Sequence, residues 1–192
     1  GWQDLGVDFR PPSRGRLNNY TTWYPNREGK EKEEFPWVVD EAYGKNYRTT
    51  VESVKTVLGR IESGEIYGEK LTTWDLKGLL WWQGWNDLIY TEKVEEYEEN
   101  LKAFVRDLRI DLNETALPVV IGELGQWGVS PHSGLRGNML NLRRSQRAVA
   151  LSDEFRGTTR AVSTAAYYVE KGHNYDGDYH YNGRADTFYQ VG

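Results

Sequence analysis

Residues 78–87 read Gly78-Leu79-Leu80-Trp81-Trp82-Gln83-Gly84-Trp85-Asn86-Asp87. Leu79 to Trp82 are apolar without interruption, and Gly84 punctuates the run. Four apolar residues in a row, with no polar alternation, predict a strand buried on both faces, as in a parallel sheet. Leu117 to Gly125, "LPVVIGELG", repeats the pattern: Pro118 opens a second strand, Val119 to Ile121 fill it and Gly122 ends it. The stretch Thr158 to Val169, "TTRAVSTAAYYV", predicts a third, built with small residues. The expected strands lie near 78–83, 117–122 and 160–166.

Helical periods fill the intervals. Tyr47, Val51, Val54, Leu58 and Ile61 recur at spacings of three and four over 46–62, with Gly64 as the stop. Val94, Tyr97, Leu101, Phe104, Leu108 and Leu112 make one stripe over 92–112, and Glu and Lys fill the other side. A third helix is expected over 138–151. A last one runs from Asn182, as cap, to Val191, with Ala185, Phe188 and Tyr189 on a shared face. Strict alternation of helix and strand implies right-handed crossovers. The expected fold is α/β: a three-layer α/β/α domain whose parallel sheet is covered on both faces. Residues 1–40 show no sustained period and read as loop, with the charge run Lys30 to Glu34 on a solvated stretch. No internal repeat divides the chain, so residues 1–192 form one domain.

Composition limits the function. A net charge of −5 argues against a nucleic-acid partner, and no apolar run approaches the length of a membrane span. With no cysteine, thiolate nucleophiles and Cys-ligated zinc are excluded. No His/Asp spacing of a familiar metal site is present. Eight Trp and thirteen Tyr build either a core of large rings or a surface on which sugar rings stack.

In parallel sheets, sites form where loops leave the carboxyl ends of strands. Three such ends carry polar groups here. Asn86 and Asp87 favour a turn by type, yet an Asn amide there can also donate to a developing oxyanion, while Gly84 lets a ligand approach the backbone. Glu123, with Gln126 nearby, is either a plain strand-end carboxylate or a group that supports catalysis or binds a substrate hydroxyl. In "HNYDGDYH", residues 173–180, His180 is a surface histidine or a general base, with Asp176 or Asp178 to orient it. His173 and His132 carry less chemical context and read as structural or solvent-facing.

The ordered set "GLLWWQGWND", "YEENLKAFVRDLR", "LPVVIGELG", "RRSQRAVA" and "YHYNGRADTFYQVG" resembles the sialate O-acetylesterase-like carbohydrate esterases, a branch of the SGNH hydrolases. "VDFRPPSRG" near the start resembles a loop of the same family, so the resemblance spans nearly the whole chain. It implies a flavodoxin-like SGNH architecture and a serine esterase that removes acyl groups, acetyl above all, from a saccharide. No cofactor is implied. The resemblance casts Asn86 as oxyanion donor, with Gly84 clearing space beside it, and His180 as general base. Trp82, Gln83, Trp85, Asp87 and Glu123 become the expected substrate contacts. It also favours a secreted or periplasmic setting.

The departures are equally specific. No Gly-x-Ser-Asn turn occurs, and the acid expected three residues before His180 is Gly177, flanked by Asp176 and Asp178. The family's first strand and its nucleophile are therefore expected before residue 1, and its last helix continues past Gly192, so the domain reads as incomplete at both ends. An N-terminal segment or second chain would supply the serine. The alternative is a non-catalytic carbohydrate-binding or structural module derived from the esterase fold.

Overall fold

The computed structural model describes residues 3–15, 44–131, 134–169, 181 and 184–192. After a short 3-10 turn, Pro12–Arg14, the elements run α1 (Lys45–Glu62), β1 (Leu79–Trp81), α2 (Trp85–Leu88), α3 (Thr91–Asp111), β2 (Val119–Glu123), α4 (Arg136–Leu151), β3 (Thr159–Ser163) and α5 (Ala185–Val191). The sheet has the order β1-β2-β3 and both pairings are parallel. This mixed α/β arrangement with a parallel sheet is consistent with the α/β/α architecture expected above.

The helices follow their apolar stripes. Val94, Tyr97, Leu101, Phe104 and Leu108 of α3 are all buried, and Leu112 caps its end. Tyr47 and Val51 anchor α1, and Gly64 follows its end at φ 86, where a residue without Cβ is favoured. α4 buries Met139, Leu142, Arg143, Gln146 and Val149 on one side.

Strand bounds differ from the sequence reading for local reasons. β2 runs through Gly122 to Glu123 because Gly122 pairs with Val162 and Glu123 with Ser163 in the ladder. The missing side chain at Gly122 receives the Trp82 ring, which a Cβ would meet at 2.8 Å. β3 stops at Ser163 because Thr164 turns to φ −102, ψ −1, and the chain continues as a 3-10 turn, Ala165–Tyr167. The residue before α5 is Arg184, so Asn182 is not its cap; Asn182 itself lies outside the described residues. Thr187 is the buried residue of α5, whereas Tyr189 faces solvent.

The sheet's two faces are unlike. Leu79, Trp81, Val119 and Ile121 face one core shared with α3 and α4. Trp81 packs on Phe104 with ring centroids 4.4 Å apart. On the opposite face, Leu80 is 64% exposed, Val120 39% and Val162 50%. Among the described residues only the carboxyl end of that face is covered, where Phe188 of α5 meets Trp82. Cover on both faces is expected of this fold; the described residues supply it fully on one face and at the carboxyl end of the other.

Candidate active-site rim

Because all three strands are parallel, their carboxyl ends share one rim. It carries residues 82–87 after β1, 124–128 after β2 and 164–168 after β3.

The three tryptophans after Leu80 part company. Trp81 belongs to the core, its indole N–H donating to the Tyr97 hydroxyl at 3.3 Å. Trp82 lies over Gly122 on the opposite face, against Tyr181 and Phe188. Trp85 begins α2 and meets Trp127 at 5.3 Å. They do not wall one pocket, since successive residues of a strand alternate faces. Gly84, expected to make room for a ligand, makes room for α4 instead: at φ 151, its Cβ would lie 2.7 Å from Leu142 Cδ2.

Asn86 stands in the single turn of α2. Its Nδ2 donates to the Gln3 carbonyl at 2.8 Å. An asparagine amide has two N–H donors, so one bond fixes the amide plane and the second N–H is available.

Asp87, next in sequence, is fully buried. Its carboxylate accepts from the Leu5 N–H (3.1 and 3.0 Å), the Gly6 N–H (3.1 Å) and Gln83 Nε2 (2.6 Å). Burial, reinforced by the Asp4 carboxylate nearby, outweighs these donors and pushes its pKa up to about 7. Asp4 pairs in turn with Lys93 at 2.6 Å and accepts from the Val7 N–H. Arg10 ties the same loop to α3 through Glu96 at 3.1 Å. Residues 3–15 are thus stapled to α2 and α3 by buried polar contacts.

Glu123 is also committed internally. It is buried and takes both Arg147 Nε (2.6 Å) and a second guanidinium nitrogen (2.7 Å). Gln83 spends its side chain on Asp87 and on the Gln3 carbonyl at 3.3 Å. Of the expected substrate contacts, Gln83, Asp87 and Glu123 are therefore held by polar protein partners, Trp82 packs on Tyr181 and Phe188, and Trp85 packs on Trp127. His180, Asp176 and Asp178, like His173 and His132, lie outside the described residues.

The structure adds groups that sequence reasoning missed. Arg143 of α4 clamps the loop after β2, donating to the carbonyls of Leu124, Gln126 (2.9 Å) and Gly128 (2.9 Å). Gln146 Oε1 accepts from the Leu124 N–H at 3.0 Å, and its Nε2 donates to the Gln83 carbonyl at 3.0 Å, joining the ends of β1 and β2. Trp127 holds φ 63 inside this loop. The glycines either side of "QW" hint at a turn, but nothing local predicts the arginine clamp.

Comparison with known proteins adds identity to this geometry. The family model described as carbohydrate esterase, sialic acid-specific acetylesterase, matches residues 32–182. No curated protein matches the chain. Among solved structures, an Arabidopsis thaliana protein determined by X-ray diffraction at 1.6 Å resolution shares 24% identity over 62% of this chain, with a TM-score of 0.43. The chain covers 40% of that protein's chain. The matched span takes in α1 to β3 and every rim residue after β1 and β2. This chain belongs to the carbohydrate esterase family of sialic acid-specific acetylesterases.

Proposed function

We propose that the chain carries the oxyanion-donor and general-base side of a carbohydrate O-acetyl esterase site, and that the nucleophilic serine comes from a segment outside these 192 residues. The observation that carries the reading is Asn86: an amide at the carboxyl end of β1, oriented by the Gln3 carbonyl and retaining a second N–H. In the proposed reaction the serine Oγ attacks the acetyl carbonyl. The Asn86 N–H stabilises the oxyanion, and His180 takes the serine proton and gives it to the departing sugar oxygen, which leaves as the hydroxyl. Water then repeats the sequence on the acyl-enzyme. No cofactor is needed for these steps.

Topology supports a segment beyond β1. Both described crossovers, α3 and α4, run in one direction along the sheet and pack on one face. Right-handed connections continuing that way would cover the same face again. A unit wound the other way, from the outer edge of β1, would cover the opposite face at Leu80, Val120 and Val162. β1 has no partner on that edge among the described residues. A strand there would end on the same rim, beside Asn86.

In this reading Asp87 is scaffold rather than substrate contact, because its oxygens are filled from the loop at Leu5 and Gly6. The saccharide is met by Trp85. The test is Asn86→Ala in a protein that includes the segment before residue 1. Loss of one oxyanion donor lowers kcat about 10²–10³-fold with little change in KM. A kcat within twofold of the parent would remove Asn86 from the site.

A further inference from the structure

We infer that Tyr181 is a positioning residue: its buried side chain locks the three strand ends together and fixes the residue that directly follows His180 in the sequence. The ring is 1% exposed and touches something from each strand. It meets Trp82 after β1, with centroids 5.6 Å apart. Its hydroxyl accepts from the Gly125 N–H after β2 at 2.9 Å and shares a short hydrogen bond with Thr164 Oγ1 after β3. Thr164 Oγ1 donates on to the Glu123 carbonyl at 2.6 Å. Phe188 of α5 closes over the ring at 5.6 Å.

Three further features give way to this contact. Gly125 has no space for a side chain, since a Cβ would lie 2.3 Å from Thr164 Oγ1 and 2.5 Å from the Tyr181 hydroxyl. Tyr181 itself holds φ 50, a left-handed conformation that a bulky residue adopts only when its surroundings impose it. β3 ends where Thr164 turns to reach the same hydroxyl. A buried tyrosine commonly finds one polar partner. This one binds two strand ends at once and is strained to do so. His180 is joined to this fixed residue by a single peptide bond.

The lock stands on geometry alone; its catalytic consequence rests on the reading of His180 as base. The experiment separates the two. In the 192-residue chain, Tyr181→Phe keeps the ring and removes both hydrogen bonds. Hydrogen exchange at the Gly125 amide should accelerate at least tenfold, and the ring ¹⁵N resonances of His180, identified by their loss in His180→Gln, should move while those of His132 and His173 stay. Thr164→Val, which leaves residue 181 intact, should move the same His180 signals. Unchanged Gly125 exchange, or His180 signals that match the parent in both variants, would overturn the inference. None of these readouts needs turnover, so failure of the esterase reading would leave them standing.

Discussion

Leu80 and Trp81 are neighbours in one strand and live in different surroundings. Trp81 is packed by Phe9, Phe104 and Tyr97, whereas Leu80 points to a face that the described chain leaves largely open. Both are apolar because a parallel strand is built to be covered twice. Among the described residues, one face has its cover and the other has it only at the carboxyl end. An apolar residue thus records the environment for which a strand is suited.

The sharpest way to break this comparison is to truncate both neighbours. Trp81→Ala should cost about 3–5 kcal/mol, the range for emptying a large aromatic site in a core. Leu80→Ala should stay within about 0.5 kcal/mol, as for exposed positions. Urea denaturation of the two variants of the 192-residue chain decides it. Equal losses would mean that the Leu80 face is packed after all.

A smaller effect should come from the rim. Asp87 titrates near 7 in the folded chain against about 3.9 when unfolded, so the folded state holds a proton that the unfolded state has released between those values. Its contribution is whole below about pH 4 and is lost as pH rises through 7. Asp8, raised by burial as well, acts in the same direction. Stability should therefore fall from pH 5 to pH 8, by at most about 1.4 kcal/mol per pH unit from Asp87. Asp87→Asn, neutral throughout, should flatten that slope. Unfolding free energies at the two pH values check it, and an undiminished slope in the variant would place the titration elsewhere.

Legibility in the sequence followed the range of the interactions. The stripes of α1 and α3 and the runs of β1 to β3 were readable because helix and strand periods are local, and so was their parallel alternation. The one-turn helix at Trp85–Leu88 was read as a turn, since Asn and Asp suit both. What stayed hidden depends on distant partners. Asp87 meets Leu5 across 82 positions, and the Tyr181 hydroxyl meets Gly125 across 56. No window around either residue contains the group that determines its role. The left-handed backbone at Trp127 and Tyr181 is likewise imposed by packing, against the preference of an aromatic residue. At the candidate site, the placement of Asn86 at the end of β1 was legible from the strand run and its glycine. The commitments of Gln83, Asp87 and Glu123 to protein partners were not.

The central claim is that this chain holds the oxyanion donor and base of an acetylesterase site but not its nucleophile. Acetyl-ester turnover tests it most directly, measured on a chromogenic acetate and an acetylated sugar with residues 1–192 alone and with an N-terminal extension carrying a Gly-x-Ser-Asn turn. The account predicts no turnover from the chain alone, turnover with the extension, and its loss on His180→Ala, because triad members act as a unit. Turnover by residues 1–192 alone that disappears on His180→Ala would place the nucleophile within this chain and contradict the account.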